Sequence, residues 1–265
     1  MRNEMKRETE WLYAPDIPYA QRGEDALKIQ LIFPYRRDMP ETERYPVVFF
    51  VPGAAWYRQE MYNGVPQWAK LAETGAVVAA VQVRSSREAV FPAQTEDMLE
   101  AVRRLAQDAE KWHIDPKRMY LAGQSSGGHI ALMTLLTKLQ DISAAEDYAI
   151  RGVIAISAPT DMSLLGGQPS LDLLGVTSLE EAQEKVAAAS CGPHITPKME
   201  LPRIFIIHGT ADEVVPIVHS ERLEQRLRLM GKRVEFLRVP GAGHGGAWPW
   251  RDEVLERMAM FIREG

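Results

Sequence analysis

Gly123-Gln124-Ser125-Ser126-Gly127 reads Gly-x-Ser-x-Gly, with an apolar run before it and an apolar helical run after it. In that setting a serine is carried on a tight strand-to-helix turn, its hydroxyl held clear of the backbone. Small neighbours are needed because the helix packs close to the strand that precedes it. The chemistry such a serine offers is attack on an acyl carbon and passage of the acyl group to water. A hydroxyl is a weak nucleophile at neutral pH, so this requires a base within hydrogen-bond reach and an acid behind the base.

Chain order on such a turn runs serine, acid, histidine. His113 precedes the serine, and His129 lies on the helix that follows it, where it should point back into protein. His194 sits in a loosely patterned stretch, His208 ends a strand ahead of the best acid, and His219 begins a helix. His244 is the expected base. It lies in Pro240-Gly241-Ala242-Gly243-His244-Gly245-Gly246, just after the last strand, where a glycine-rich loop can carry an imidazole over the sheet. Asp161 and Asp212 both follow strand ends. Asp212, in the short loop from His208 to Pro216, is the expected acid, with Glu213 as the adjacent fallback. Asp161 is read as a cap or brace.

The negative charge that develops on the attacked carbonyl oxygen needs backbone N–H donors. One should come from Ser126, at the positive end of the following helix. The others should come from the loop after an early strand, here Pro52-Gly53-Ala54-Ala55-Trp56, with Ala54 and Ala55 as donors. Trp56 and Trp248, with Met61, Tyr62, Leu164 and Leu165, are large apolar side chains that could line an acyl or aryl pocket. Plain packing accounts for each equally well.

These residues must be held by the elements between them. Residues 25–33 alternate in part and predict a half-exposed strand, whereas 46–51 are apolar throughout, as in a strand buried on both faces. Helix 65–73, strand 76–83, a helix opening at Pro92 with its apolar face running to Trp112, and strand 118–122 follow. Strand 152–157 is followed by a looser stretch, 160–201, read as a cap-like insertion with one helix near 178–189. Strand 203–207, helix 218–230, strand 233–239 and a final helix complete the chain. Strands alternating with helices predict a mostly parallel sheet with helices on both faces, which binds ligands at the carboxyl ends of its strands. No repeat or linker interrupts the pattern, so one domain over 1–265 is expected.

Composition narrows the function classes. The 265 residues are 46% hydrophobic and 25% charged with a net charge of −5, ordinary globular values that favour neither nucleic acid nor an anionic membrane. Cys191 is the single cysteine, so no disulfide framework can form within the chain. No apolar run approaches the ~18 residues of a membrane span, and Met1 to Glu10 has no apolar core of a secretory signal. A cytoplasmic location is expected. His208 and His219 have no surrounding ligand cluster, and no metal or cofactor is expected.

The block from Phe91-Pro92-Ala93-Gln94 through Asp115-Pro116-Lys117-Arg118 into Gly123-Gln124-Ser125-Ser126-Gly127-Gly128-His129, completed by His208–Pro216 and Gly243-His244, resembles α/β-hydrolase esterases of the hormone-sensitive-lipase-like type. It is most similar to small bacterial esterases grouped with feruloyl and acetylxylan esterases. Val83-Arg84-Ser85 sits where that family has a Tyr-Arg segment. The resemblance implies an α/β-hydrolase fold, a carboxylesterase acting on small acyl esters, and Ser125, His244 and Asp212 as its triad. It also marks departures. The family's oxyanion loop usually reads His-Gly-Gly-Gly-Trp, whereas Pro52, Ala54 and Ala55 stand here, and an alanine is strained where φ is positive. Ser126 stands where alanine is common, a change of little consequence for an N–H donor. The same machinery could cleave a formyl-aryl amide, and a non-catalytic binding protein on this fold is the third reading. The partner expected is a small-molecule ester; oligomeric state is not legible in the sequence.

Overall fold

Pro46-Val47-Val48-Phe49-Phe50-Val51 is apolar at every position because both faces of its strand are covered. In the computed structural model, which describes residues 9–265, this strand is β3 (Tyr45–Val51) of an eight-stranded sheet. The absence of a secretory signal was read from a stretch that falls mostly before residue 9 and so lies outside the described residues. The other strands are β1 (Glu10–Arg22), β2 (Asp25–Tyr35), β4 (Val77–Val81), β5 (Ile114–Gln124), β6 (Ile150–Ile156), β7 (Arg203–Gly209) and β8 (Val234–Val239). Their order is β1-β2-β4-β3-β5-β6-β7-β8. β1 and β2 pair antiparallel, β2 joins β4 antiparallel, and every pair from β4 to β8 is parallel.

The helices are α1 (Val65–Ala72), α2 (Ala93–Gln107), α3 (Ser126–Thr137), α4 (Leu139–Ser143), α5 (Gln168–Leu174), α6 (Gln183–Ala188), α7 (Cys191–His194), α8 (Val218–Leu229) and α9 (Asp252–Arg263). Two apolar cores flank the sheet. Val47, Phe49, Leu121, Ile204 and Ile206 face the side of α2, α3 and α8. Val48, Phe50, Tyr120, Phe205 and Ile207 face the side of α1 and α9. Full burial of each such side chain contributes about 1.5–3 kcal/mol relative to exposure. Helix α3 is buried along its length from Ser126 to Leu136, which explains its lack of a polar face.

The chain leaves β3 through α1 to β4 on one side, then returns through α2 to β5 on the other. The strand order reverses between β3 and β5, which pair with Val51 beside Gly123. The loop after β3 and the turn after β5 therefore emerge side by side, at the switch point where doubly wound sheets open a crevice. Just past the end of β4, Arg84 is anchored to the buried carboxylate of Asp97 on α2 by its backbone N–H (2.9 Å) and its guanidinium (2.8–3.0 Å). Arg22 of β1 reaches the same carboxylate at 3.1 Å. That is where a buried acid is best placed, because both of its oxygens are paired.

Several details differ from the sequence reading, among them strand 118–122, which runs from Ile114 to Gln124, and α4, which the sequence pattern did not announce. Helix α2 ends at Gln107, so Ala109 and Trp112 lie beyond it in a turn. Strand β1 has no counterpart in the sequence reading. The stretch 160–201, expected to hold one helix near 178–189, holds α5, α6 and α7, with α6 confined to Gln183–Ala188; Gly167 at φ 84 precedes α5 and Pro169 lies in its first turn, a position proline favours because its missing N–H is not needed there. Among the described residues no helix is long and apolar enough to cross a membrane.

Candidate active site

Strand β5 ends at Gln124 and α3 begins at Ser126, so Ser125 alone turns the chain. Its φ of 55° and ψ of −126° are strained for a side-chain-bearing residue, at a cost of about 1–3 kcal/mol. The Ser125 N–H donates to Ile156 O at 2.8 Å, and His129 N–H donates to Ser125 O at 3.1 Å. The turn is this tight because α3 sits almost on β3. A Cβ on Gly127 would lie 1.9 Å from the carbonyl oxygen of Val51.

The loops after β7 and β8 bring the partners. They are zipped together by Thr210 N–H to Val239 O (3.0 Å) and Ala211 N–H to Ala242 O (2.9 Å). His244 donates from Nδ1 to Asp212 Oδ2 at 2.8 Å, and Ser125 Oγ–H donates to His244 Nε2 at 3.0 Å. A carboxylate can only accept, so Nδ1 carries the proton and Nε2 is free to take one. Asp212 Oδ1 accepts from the N–H groups of Val214 (3.0 Å) and Val215 (2.9 Å). Burial works to raise the Asp212 pKa, but the Val215 N–H, His244 and His208 outweigh it, and the carboxyl is held below its ordinary range. The sequence-predicted Ser125, His244 and Asp212 thus come together from three loops separated by as many as 119 positions.

His208, which chain order does not make the base, lies behind the acid. Its Nε2–H donates to Val215 O at 2.8 Å and lies 3.3 Å from Asp212 Oδ2, while Nδ1 accepts from Ser220 at 2.7 Å. Burial lowers its pKa, consistent with a neutral ring. The sequence signal was there, since His208 lies near the end of β7, four residues before Asp212.

The loop after β3 departs from ordinary backbone. Ala55 has φ 49° and Trp56 φ 60°, so the strain the sequence raised is present at Ala55 and absent at Ala54. Left-handed backbone costs an alanine roughly 1–2 kcal/mol. The N–H groups of Ala55 and Ser126 have no hydrogen-bond partner among the described residues, whereas Ala54 N–H donates to Ser126 Oγ at 3.0 Å. The substitution of serine for alanine at 126 is therefore consequential, because its hydroxyl occupies one of the expected donors.

Trp56 and Trp248 are both buried, at 5% and 6% exposure. Trp56 Nε1–H donates to His129 Nδ1 at 3.1 Å, tying the loop after β3 to α3, and Trp248 Nε1–H donates to Gly243 O at 2.9 Å, bracing the His244 loop. Packing accounts for both indoles without a substrate. Tyr62 is exposed and donates to Asp16. Asp161 caps a short 3-10 turn through Ser163 N–H at 3.1 Å and pairs with Arg222 at 3.0 Å. No group of three or more potential metal ligands occurs among the described residues.

His129 and His219 make the fold sensitive to acid. Both are fully buried. His129 Nε2–H donates to Ala189 O at 2.8 Å, and His219 Nδ1 accepts from the N–H groups of Thr160 (3.2 Å) and Asp161 (3.3 Å). Burial pushes each down to about 4. The folded value lies below the unfolded one of about 6.5, so the unfolded chain binds the extra protons. Their contribution is complete above about pH 6.5 and is lost as pH falls toward about 4, at ~1.4 kcal/mol per pH unit for each histidine. Urea midpoints should fall clearly between about pH 7 and about pH 5. A flat profile would mean that these rings are not buried neutral.

With this geometry in view, comparison with known proteins places the fold. The mostly parallel sheet with its flanking helices is an α/β-hydrolase fold. It superposes on a truncated carbohydrate esterase from gut microbiota with a TM-score of 0.82 and 25% identity, covering 96% of this chain and 95% of that one. It also superposes on esterase B of Lactobacillus rhamnosis with a TM-score of 0.80 at 17% identity, a likeness of fold alone, over 97% of this chain and 86% of that one. The chain belongs to the BD-FAE family, whose model matches residues 35–227. Curated relatives include a probable isoprenylcysteine alpha-carbonyl methylesterase of Oryza sativa subsp. japonica, 28% identical over 246 residues, or 82% of this chain and 56% of that one. Esterase LipC of Mycobacterium tuberculosis is 28% identical over 224 residues, or 79% and 55%. The chain spans about half the length of these relatives.

Proposed function

We propose that the chain is a carboxylic ester hydrolase acting on small acyl esters, with Ser125 as nucleophile, His244 as base and acid, and Asp212 as the group that orients His244. The observation that carries this reading is the continuous hydrogen-bond path from Ser125 Oγ through His244 to Asp212, at 3.0 and 2.8 Å. Ser125 Oγ attacks the ester carbonyl and passes its proton to His244 Nε2. The Ser125–acyl bond forms, the carbonyl oxygen takes the negative charge, and backbone donors at Ala55 and Ser126 receive it. Ala54, the further donor expected from sequence, acts through Ser126. Collapse expels the alcohol, which leaves with the proton from His244. Water then gives a proton to the same nitrogen and attacks the acyl-enzyme; the Ser125–acyl bond breaks, His244 returns the proton to Ser125 Oγ, and the acid leaves.

The names of the relatives support esters over other acyl compounds. Carbohydrate and methyl esters both occur among them, and the acyl and alcohol groups taken here would be set by the loop after β3 and by the cap-like insertion at 160–201 of a single-domain chain. The test is turnover of p-nitrophenyl acetate by the purified protein, with a burst of p-nitrophenol as the acyl-enzyme fills. A protein with neither burst nor turnover on short acyl esters is not this enzyme.

A further inference from the structure

Ser126 offers more than its backbone. It is 2% exposed, and its Oγ accepts the Ala54 N–H at 3.0 Å. The proton on that hydroxyl has no acceptor among the described residues. A buried hydroxyl proton without an acceptor is costly, and a hydroxyl that accepts from an N–H is polarised toward donating its own proton. Ser126 is the residue immediately after the nucleophile, and its N–H also has no partner among the described residues. Ala54 cannot offer its N–H directly while the hydroxyl stands in front of it.

The geometry points to the Ser126 hydroxyl as a side-chain oxyanion donor that relays the Ala54 N–H: Ala54 N–H donates to Ser126 Oγ, and Ser126 Oγ–H donates to the oxygen of the attacked ester. The hole then has three donors, the N–H groups of Ala55 and Ser126 and this hydroxyl. No proton is transferred in the relay; the hydroxyl keeps its proton and its hydrogen bond shortens as charge develops. An oxyanion loop with alanine in place of glycine keeps a third donor this way. This rests on the ester-hydrolase reading and deepens it.

The experiment compares wild type and Ser126→Ala on an acetyl ester and on the corresponding thiono ester, whose sulfur accepts hydrogen bonds poorly. Loss of one oxyanion donor costs roughly 10²–10³ in kcat elsewhere; the freed Ala54 N–H should recover part, so a fall of about tenfold or more in kcat at near-constant KM is expected on the oxygen ester. The fall on the thiono ester should be several times smaller, which a merely structural role of Ser126 would not produce. A variant as fast as wild type, or one that loses both esters by the same factor, overturns the inference. Ser126→Cys, close in size with a weak donor, carries the same expectation if the alanine variant does not fold. If wild type turns over neither ester, the ester-hydrolase reading fails first and this one with it; if wild type turns over both, only the relay is being judged.

Discussion

Replacing Ser125 with alanine should lower turnover of a short p-nitrophenyl ester by roughly 10⁴-fold or more while leaving the protein folded. The hydroxyl is the only part removed. The turn around it is held by main-chain bonds, Ser125 N–H to Ile156 O and His129 N–H to Ser125 O, which alanine keeps. The urea midpoint should therefore stay near that of wild type. His244→Ala should cost a similar factor, because the nucleophile, base and orienting acid act as one unit and losses do not add. Asp212→Asn keeps the shape but exchanges a carboxylate for an amide, which no longer holds the proton on Nδ1; a fall near 10⁴-fold is expected. Kinetics and a denaturation curve on the same preparations check all three.

The second large effect is structural. Gly127→Ala should cost more than about 3 kcal/mol, at the upper end of overpacking penalties, and should abolish turnover although the triad is untouched. The added Cβ would lie 1.9 Å from Val51 O, 2.7 Å from Val51 C and 3.1 Å from Pro52 O, all main-chain atoms of β3 and the loop that follows. No side chain can rotate away to relieve this. Helix α3 would have to lift from the sheet, and the distance between Ser126 and Ala54, now 3.0 Å, would open. Thermal or urea unfolding together with kcat measures it. A variant that unfolds and turns over like wild type would contradict the close packing of α3 on β3.

Much of this was legible in the sequence, for physical reasons. Strands β3 and β7 are buried on both faces and so read as unbroken apolar runs. Ser125, Asp212 and His244 sit at strand ends in glycine-bearing loops, so chain order was enough to pick them out as side chains the fold brings together. What could not be read depends on where side chains meet across the fold. Strand β1 is an edge strand carrying Pro15 and Pro18, with breaks in register around both and Asp16 at φ 54°, so it has no clean alternation. The left-handed backbone of Ala55 and Trp56 accompanies a bond from Trp56 to His129, 73 residues away. Ser126 looks interchangeable with alanine until its hydroxyl is seen against Ala54. Trp56 and Trp248 read as pocket candidates because aromatic residues near strand ends serve both purposes, and only their N–H partners reveal how each is used.

The proposed mechanism requires Ser125 to be an activated nucleophile, and a serine-directed fluorophosphonate tests that directly. The protein carries buried or partly buried serines close by, Ser126 and Ser157 among them, so the site of attachment is decisive. After brief exposure to the probe and digestion, mass spectrometry should find the phosphonyl group on Ser125 at close to one per chain. Labelling should be lost in Ser125→Ala and strongly slowed in His244→Ala. A native protein that takes no label, or takes it on another serine at the same rate with Ser125 replaced, would contradict the account.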